Sequence, residues 1–372
     1  DDGIVKDMMT KVQEIAFSFS YSAKRQFQFQ EMLSETPEAR EEMGKRRKLR
    51  TLCETRWSAR ADSLSTFKAS FDVVVKALEF LHTIKDSKAR CFLNIILSFE
   101  FIMALVACEW LLQFIVPLTT YLQTVDIDLL QAHQQATTVI EALAKERNDE
   151  SWEKLYQDAV SIAEKHDVAV NRPRIAGRQQ HRGNVPSTSA SEYYKRGLYF
   201  PFLDHLLAEL NDRLIKPGPL FRISCLLPRN VGKWSPATTT VDDIFTPYNA
   251  DIPEDLQQVR ESECMRWKSR WEKANNLPAT LRETLEECKP HEFPNISRAF
   301  TVLLTLPITT ATAERSFSAL GRLKTYMRST MKEERLNGLA LMHIHKHDVD
   351  VDSEEIINEF ATASPRRLEL LF

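Results

Sequence analysis

The stretch from Cys91 to Val116 constrains this chain more than any other part of its sequence. It is the most apolar run present, yet Asn94, Ser98, Glu100, Glu109 and Gln113 interrupt it. No uninterrupted span reaches the ~20 apolar residues needed to cross a bilayer. The segment reads as a core helix and not as a membrane anchor. Stripes of the same period surround it. Ile4, Met8, Val12, Ile15, Ala16 and Phe19 predict an amphipathic helix from Ile4 to about Leu33. Leu64, Phe67, Phe71, Val74, Leu78 and Leu81 form one stripe, another helix is predicted from about Leu129 to Lys145, and Trp152, Leu155, Val160 and Ile162 begin a further one. Leu49, Leu52 and the segment Cys53 to Trp57 are compatible with one short strand. Nine glycines in 372 residues argue against a turn-rich sheet and against Gly-rich phosphate loops. The fold class is mainly α.

Residues 171–198, rich in Pro, Gly, Ser and Arg, break the helical regime and read as a basic surface loop, partly disordered. Helical spacing returns at Phe202, Leu203, Leu206, Leu207, Leu210 and Leu214, and again from Leu256 to Trp271. From about Ile296 to His347 the pattern predicts three helices, the last opened by Thr330 with Glu333 three residues on, a capping-box spacing. An acidic tail after Asp348 carries Ile356, Ile357 and Phe360 at helical spacing. The opening residues lack a basic segment followed by an apolar run, which predicts no signal peptide, and the absence of an initiator Met reads as a chain cut from something longer.

The net charge of −3 exerts no global pull toward nucleic acid, so any DNA contact must be local. The candidate is Lys45, Arg46, Arg47, Lys48 and Arg50, a cluster suited to phosphate contacts or nuclear import, and otherwise solvated surface. The six cysteines have no zinc-knuckle spacing and read as reduced, mostly buried thiols. His343, His345 and His347 alternate, which on a helix turns neighbours about 200° apart, so they read as helix-end residues and no metal site is predicted. Trp267 and Trp271, one turn apart beside Arg266 and Arg270, read as core packing.

Residues 303–331 contain Pro307, Ala313, Glu314, Arg315, Phe317, Ser318, Arg328 and Ser329, followed by a leucine-bearing helix. This block resembles the C-terminal region of hAT-family transposases. Glu54 to Trp57 (ETRW) is similar to the family segment that passes into its helical insertion, and Glu192 to Leu214 resembles hAT-derived host proteins of the zinc-finger MYM-type and THAP-type kind. The resemblance implies the C-terminal part of an RNase H-like fold interrupted by a large all-helical insertion. On that basis residues 1–57 end the first RNase H-like segment and 58–290 form the insertion. Residues 291–347 are the dimerisation block, and 348–372 an acidic tail.

The family cuts and joins DNA with two Asp and one Glu holding two metal ions. The resemblance puts Glu314 at the Glu position and the two Asp ahead of Asp1, so the chain is expected to be catalytically incomplete. No cofactor is expected for it, and Mg²⁺ or Mn²⁺ only for an active parent. Arg56 and Trp57 are either base or hairpin contacts or a structural pair. Leu336, Leu339, Ala340 and Ile344 either form a dimer face or close the chain's own core. The expected partners are a second copy of the chain and DNA, in the nucleus, without membrane or small-molecule cofactor. The rival expectation is a domesticated regulatory or scaffold protein that uses the fold only for protein contacts.

Overall fold

The computed structural model describes residues 3–52, 57–124, 127–173, 185–216, 218–306, 311–325, 330–345 and 352–362. Among them there is no β-strand, and the mainly α expectation stands. Leu49 to Leu52 run without regular structure, and the rest of the predicted strand, to Arg56, lies outside the described residues. The chain forms two units, Asp1–Ile308 and Thr309–Phe372.

Three of the predicted stripes prove to be pairs of helices. The first divides into α1 (Gly3–Ser20) and α2 (Ala23–Ser34), followed by the short α3 (Pro37–Glu42). The second divides into α4 (Trp57–Ala69) and α5 (Phe71–Thr83), the third into α6 (Ala89–Ile96) and α7 (Phe99–Tyr121). A serine sits at each break. The Ser22 and Ser98 hydroxyls accept hydrogen bonds from the Arg25 and Phe101 amides, satisfying donors a new helix would otherwise leave unpaired. Ser70 is buried and instead donates to the Thr66 carbonyl at 2.8 Å. The apolar period continues across each break because both helices of a pair bury side chains in one core.

The helix α7 is the centre of that core. Its neighbours are α1, α4, α8 (Leu129–Lys145) and α9 (Asp149–Lys165). By length and composition its 23 residues could cross a membrane, but 72% of its most apolar window is buried inside the protein. From Phe101 to Glu109 every residue is buried, and a helix enclosed in this way is apolar nearly all round, which is the composition the sequence shows. One charge is buried with it. Glu109 accepts from the Lys68 ammonium of α4 at 3.1 Å and also contacts Gln113. Removing Lys68 would strand that carboxylate, a change that typically costs about 3 kcal/mol or more.

The predicted loop 171–198 ends earlier than its composition suggests, and residues 174–184 of it lie outside the described residues. Ser189 caps α10 (Ala190–Tyr194), which runs through a π-helical turn, Lys195–Tyr199, into α11 (Phe200–Leu210). The cause is burial. Tyr193, Tyr194, Leu198 and Tyr199 all enter the first core, and the Trp152 indole of α9 donates to Ser191 at 3.0 Å.

A second core in the same unit is built from α12 (Gly218–Phe221), α13 (Pro228–Val231), α14 (Val241–Phe245), α15 (Glu254–Gln257), α16 (Arg260–Glu272), α17 (Leu281–Glu287) and α18 (Pro294–Thr305). Asp128 ties it to the first. One carboxylate oxygen caps α8 through the Leu130 and Gln131 amides, while the other accepts from the Leu281 amide at the start of α17. The indoles of Trp267 and Trp271 pack edge to face at 5.4 Å in the second core, as their spacing predicts.

The second unit holds α19 (Ala311–Leu323), α20 (Glu333–Ile344) and α21 (Ser353–Thr362). The N-cap of α20 is Lys332, without a side-chain cap, so the box predicted at Thr330 and Glu333 does not form. Thr330 lies two residues too early to reach the first turn. Thr280 and Glu283 make a capping box at α17 instead.

At the C-terminal end of α9, His166 donates to Asp72 of α5 at 2.8 Å and Lys165 pairs with the same carboxylate. The hydrogen bond from His166, opposed by burial and aided by Lys165, holds the Asp72 carboxyl down at about 2 against an ordinary 3.8. A value depressed by folding stabilises the native state fully above about pH 4, and the contribution is lost as pH falls through the folded value. Asp72→Asn is therefore expected to cost about 1–2 kcal/mol at neutral pH, allowing for solvent screening of the exposed lysine. Urea unfolding should show the gap between variant and wild type closing as pH approaches 2.

Candidate dimerisation surface

The two units treat their apolar side chains differently. In α16 and α18 they are packed inside, around a buried polar network. Glu263 is fully buried and accepts from the Asn295 amide, the Asn295 side chain and the Ile296 amide, which caps the start of α18. Arg260 of the same helix face donates to Asn249 and Asn295. A carboxylate at a helix N-terminus meets both unpaired amides and the positive end of the dipole, and so suits this position.

In α19 and α20 much apolar surface stays outside. Of α20 no described residue is buried. Leu336, Leu339, Ala340 and His343 are half-buried along one face, at the i, i+3, i+4, i+7 spacing of a packed stripe, and α20 contacts α19. Away from that stripe Leu341 is 58% exposed, Met342 65% and Ile344 61%; on α19 Phe317 is 72% and Leu320 39% exposed. Five large apolar side chains on two short helices make this a candidate surface for burial against a partner.

Of the four residues singled out from the sequence, Leu336, Leu339 and Ala340 are thus partly used within the chain, and Ile344 faces out. Sequence reasoning missed Leu341, Met342 and Leu320, which lie off the helical stripe. Phe317 was visible as a motif residue. Glu314 lies half-buried in the first turn of α19. Among the described residues no three His, Cys, Asp or Glu side chains converge in a way that would hold a metal ion.

The basic cluster lies in the connection between α3 and α4. Two of its cations are engaged: Arg46 and Arg50 both pair with Asp62 of α4, Arg50 at 2.5 Å. Lys45, Arg47 and Lys48 are exposed and form no ion pair with a described residue. Arg56 lies outside the described residues, and Trp57 is the first residue of α4. His343 falls in the last turn of α20 and His345 is its C-cap, while His347 lies outside the described residues. Cys108, Cys264 and Cys288 are buried free thiols, Cys225 is half-buried and Cys91 exposed. Burial pushes Cys225 and Cys288 up to about 12, away from the reactive thiolate.

Comparison with known proteins bears on the same residues. Residues 256–347 match the hAT family C-terminal dimerisation region. That stretch begins in α15, takes in the buried network of α16 and α18, and includes the outward apolar surface of α19 and α20. Over 374 residues the chain is 27% identical to the 52 kDa repressor of the inhibitor of the protein kinase of Homo sapiens, covering 95% of this chain and 48% of that protein. It is 27% identical over 382 residues to the protein of the same name from Mus musculus, with the same coverage. The chain spans about half the length of these curated relatives.

A surface of this kind in a dimerisation region gives a direct expectation. The chain should be a dimer by light scattering at micromolar concentration, and Leu341→Asp should shift it toward monomer, because a charge buried unpaired in an interface costs several kcal/mol. A monomeric wild type would contradict this. The resemblance read from Glu314, Arg315, Phe317 and Ser318 agrees with the family match: residues 256–347 of the chain match the hAT family C-terminal dimerisation region, and nearly the whole chain is similar to the 52 kDa repressor of the inhibitor of the protein kinase.

Proposed function

We propose that this chain is the dimerising, DNA-associated part of a host regulatory protein derived from a hAT transposase, acting in the nucleus and without nuclease activity of its own. The observation that carries the proposal is the outward apolar surface of α19 and α20 inside a matched dimerisation region. The regulatory part rests on the relatives, whose name describes a repressor of an inhibitor of a protein kinase. In this reading residues 1–57 and 291–347 belong to an RNase H-like fold and 58–290 to its insertion. The succession of six helices, α4 to α9, with no strand among the described residues between them is what supports an all-helical insertion.

The donors present do not fit the paired metal ions of the parent chemistry. Glu314 is the one residue matched to a family carboxylate, and the described residues converge on no metal-binding group around it or elsewhere. Two-metal catalysis needs several oxygens on ions about 4 Å apart. Binding to DNA without cutting is the activity that remains, with no metal or other cofactor. A reading as a protein-contact scaffold alone differs from this only in whether DNA binds.

The basic cluster tests that difference. Each phosphate contact should contribute about −0.9 to the slope of log affinity against log salt. Asp62 already neutralises part of the charge of Arg46 and Arg50, so Lys45, Arg47 and Lys48 are the residues expected to meet phosphates. Fluorescence anisotropy with duplex DNA should show salt-sensitive binding whose slope flattens by about 2–3 when these three become Gln. Absence of binding at low salt would leave the scaffold reading.

A further inference from the structure

At the corner where α1 passes into α2, three aromatic rings reach the surface. Tyr21 is 84% exposed and Phe27 66%, while Phe17, 38% exposed, lies against the Tyr21 ring with centroids 5.6 Å apart. Lys24 stands one turn before Phe27 on α2 and shares its face.

Two side-chain contacts bring cations from other parts of the chain to this corner. The Gln26 amide donates to the Arg47 carbonyl at 3.2 Å, which holds residues 45–48 against the first turns of α2. The Arg25 guanidinium forks onto both oxygens of Asp86 at 2.8 to 3.0 Å, which holds the connection between α5 and α6, with Lys85 and Lys88, beside the same turns. Lys24, Lys45, Arg47, Lys48, Lys85 and Lys88 are all exposed, and none forms an ion pair with a described residue. The carboxylates nearest in the fold are already neutralised, Asp86 by Arg25 and Asp62 by Arg46 and Arg50. Glu31 and Glu35 lie at the far end of α2, and Glu79 lies toward that end of α5, where Lys76 donates to Thr36. Glu41 and Glu42, just before Lys45, leave the face positive.

Cations alone suit any phosphate backbone. Exposed rings among them add a second chemistry, because an unpaired base can lay its face on an aromatic side chain while its phosphate meets a cation. Bases in a duplex are already stacked and gain nothing from the rings. We propose that this corner takes single-stranded DNA, its bases stacking on Tyr21 and Phe27 and its phosphates meeting the cations of residues 24, 45–48 and 85–88. The proposal rests on the DNA reading above and adds to it which form of DNA is preferred.

Fluorescence anisotropy of the full chain with labelled oligothymidylate, an abasic strand and a duplex, all of equal length, separates bases from phosphates. Wild type should bind oligothymidylate about tenfold more tightly than the other two, the scale of one or two stacked bases. The double variant Tyr21→Ala, Phe27→Ala should lose about that factor for oligothymidylate only, with the salt slope unchanged because no cation is removed. Replacing both residues by Trp should keep the affinity, and circular dichroism of each variant checks that helix content is kept. Oligothymidylate bound no more tightly than duplex would overturn the inference while leaving the DNA reading intact. A double variant that binds all three as wild type does, or is weakened equally for all three, would also overturn it. No binding of any of the three at low salt would defeat the DNA reading and this inference with it.

Discussion

Burial of α7, complete from Phe101 to Glu109 and on its inner face beyond, is the constraint around which the larger unit is arranged. A helix with so few polar positions cannot face water, and α1, α4, α8 and α9 are the walls that enclose it. The buried carboxylate of Glu109 ties α4 to this helix, since Lys68 there supplies the cation that offsets its burial, with Gln113 contacting the other oxygen. From the same helix the chain leaves toward α8, whose N-cap Asp128 also holds the start of α17. The second core is therefore attached to the first through a shared cap as well as through Leu130.

The matched dimerisation region behaves as two things in sequence. Its first part is closed core, where Glu263 accepts from Asn295 and the Ile296 amide, and Arg260 donates through Nε and Nη1 to Asn295 and Asn249. Its second part keeps Phe317, Leu341, Met342 and Ile344 in water. A single chain gains nothing from that exposure, and apolar area left in solvent is area available for burial at about 25 cal/mol per Å² by a partner. The division between inward and outward packing falls between α18 and α19, and this is the physical ground for assigning association to the second part.

Much of the helical architecture was legible in the sequence. The stripe from Leu64 to Leu81 marked its core face correctly, but the break at Ser70 was invisible because a period of 3.6 persists when two helices line one core. The Pro, Gly, Ser and Arg content of residues 171–198 reads as loop to its end, whereas residues 190–198 are helical, with Tyr193, Tyr194 and Leu198 buried in the core. At the candidate surface the half-buried residues Leu336, Leu339 and Ala340 were found because they follow helical spacing. Leu341 and Met342 were missed because a surface meant for a partner does not obey the pattern of the chain's own core. Glu263 gave no local sign at all, since its partners lie more than thirty residues away.

The central claim, that α19 and α20 present an interface and not an idle surface, is tested most directly by hydrogen exchange followed across a dilution series. Protection of amides in Ala311–Leu323 and Glu333–Ile344 should rise from nanomolar to micromolar concentration, while protection in Phe99–Tyr121 stays constant. Protection of the C-terminal helices that does not change with concentration would contradict the account.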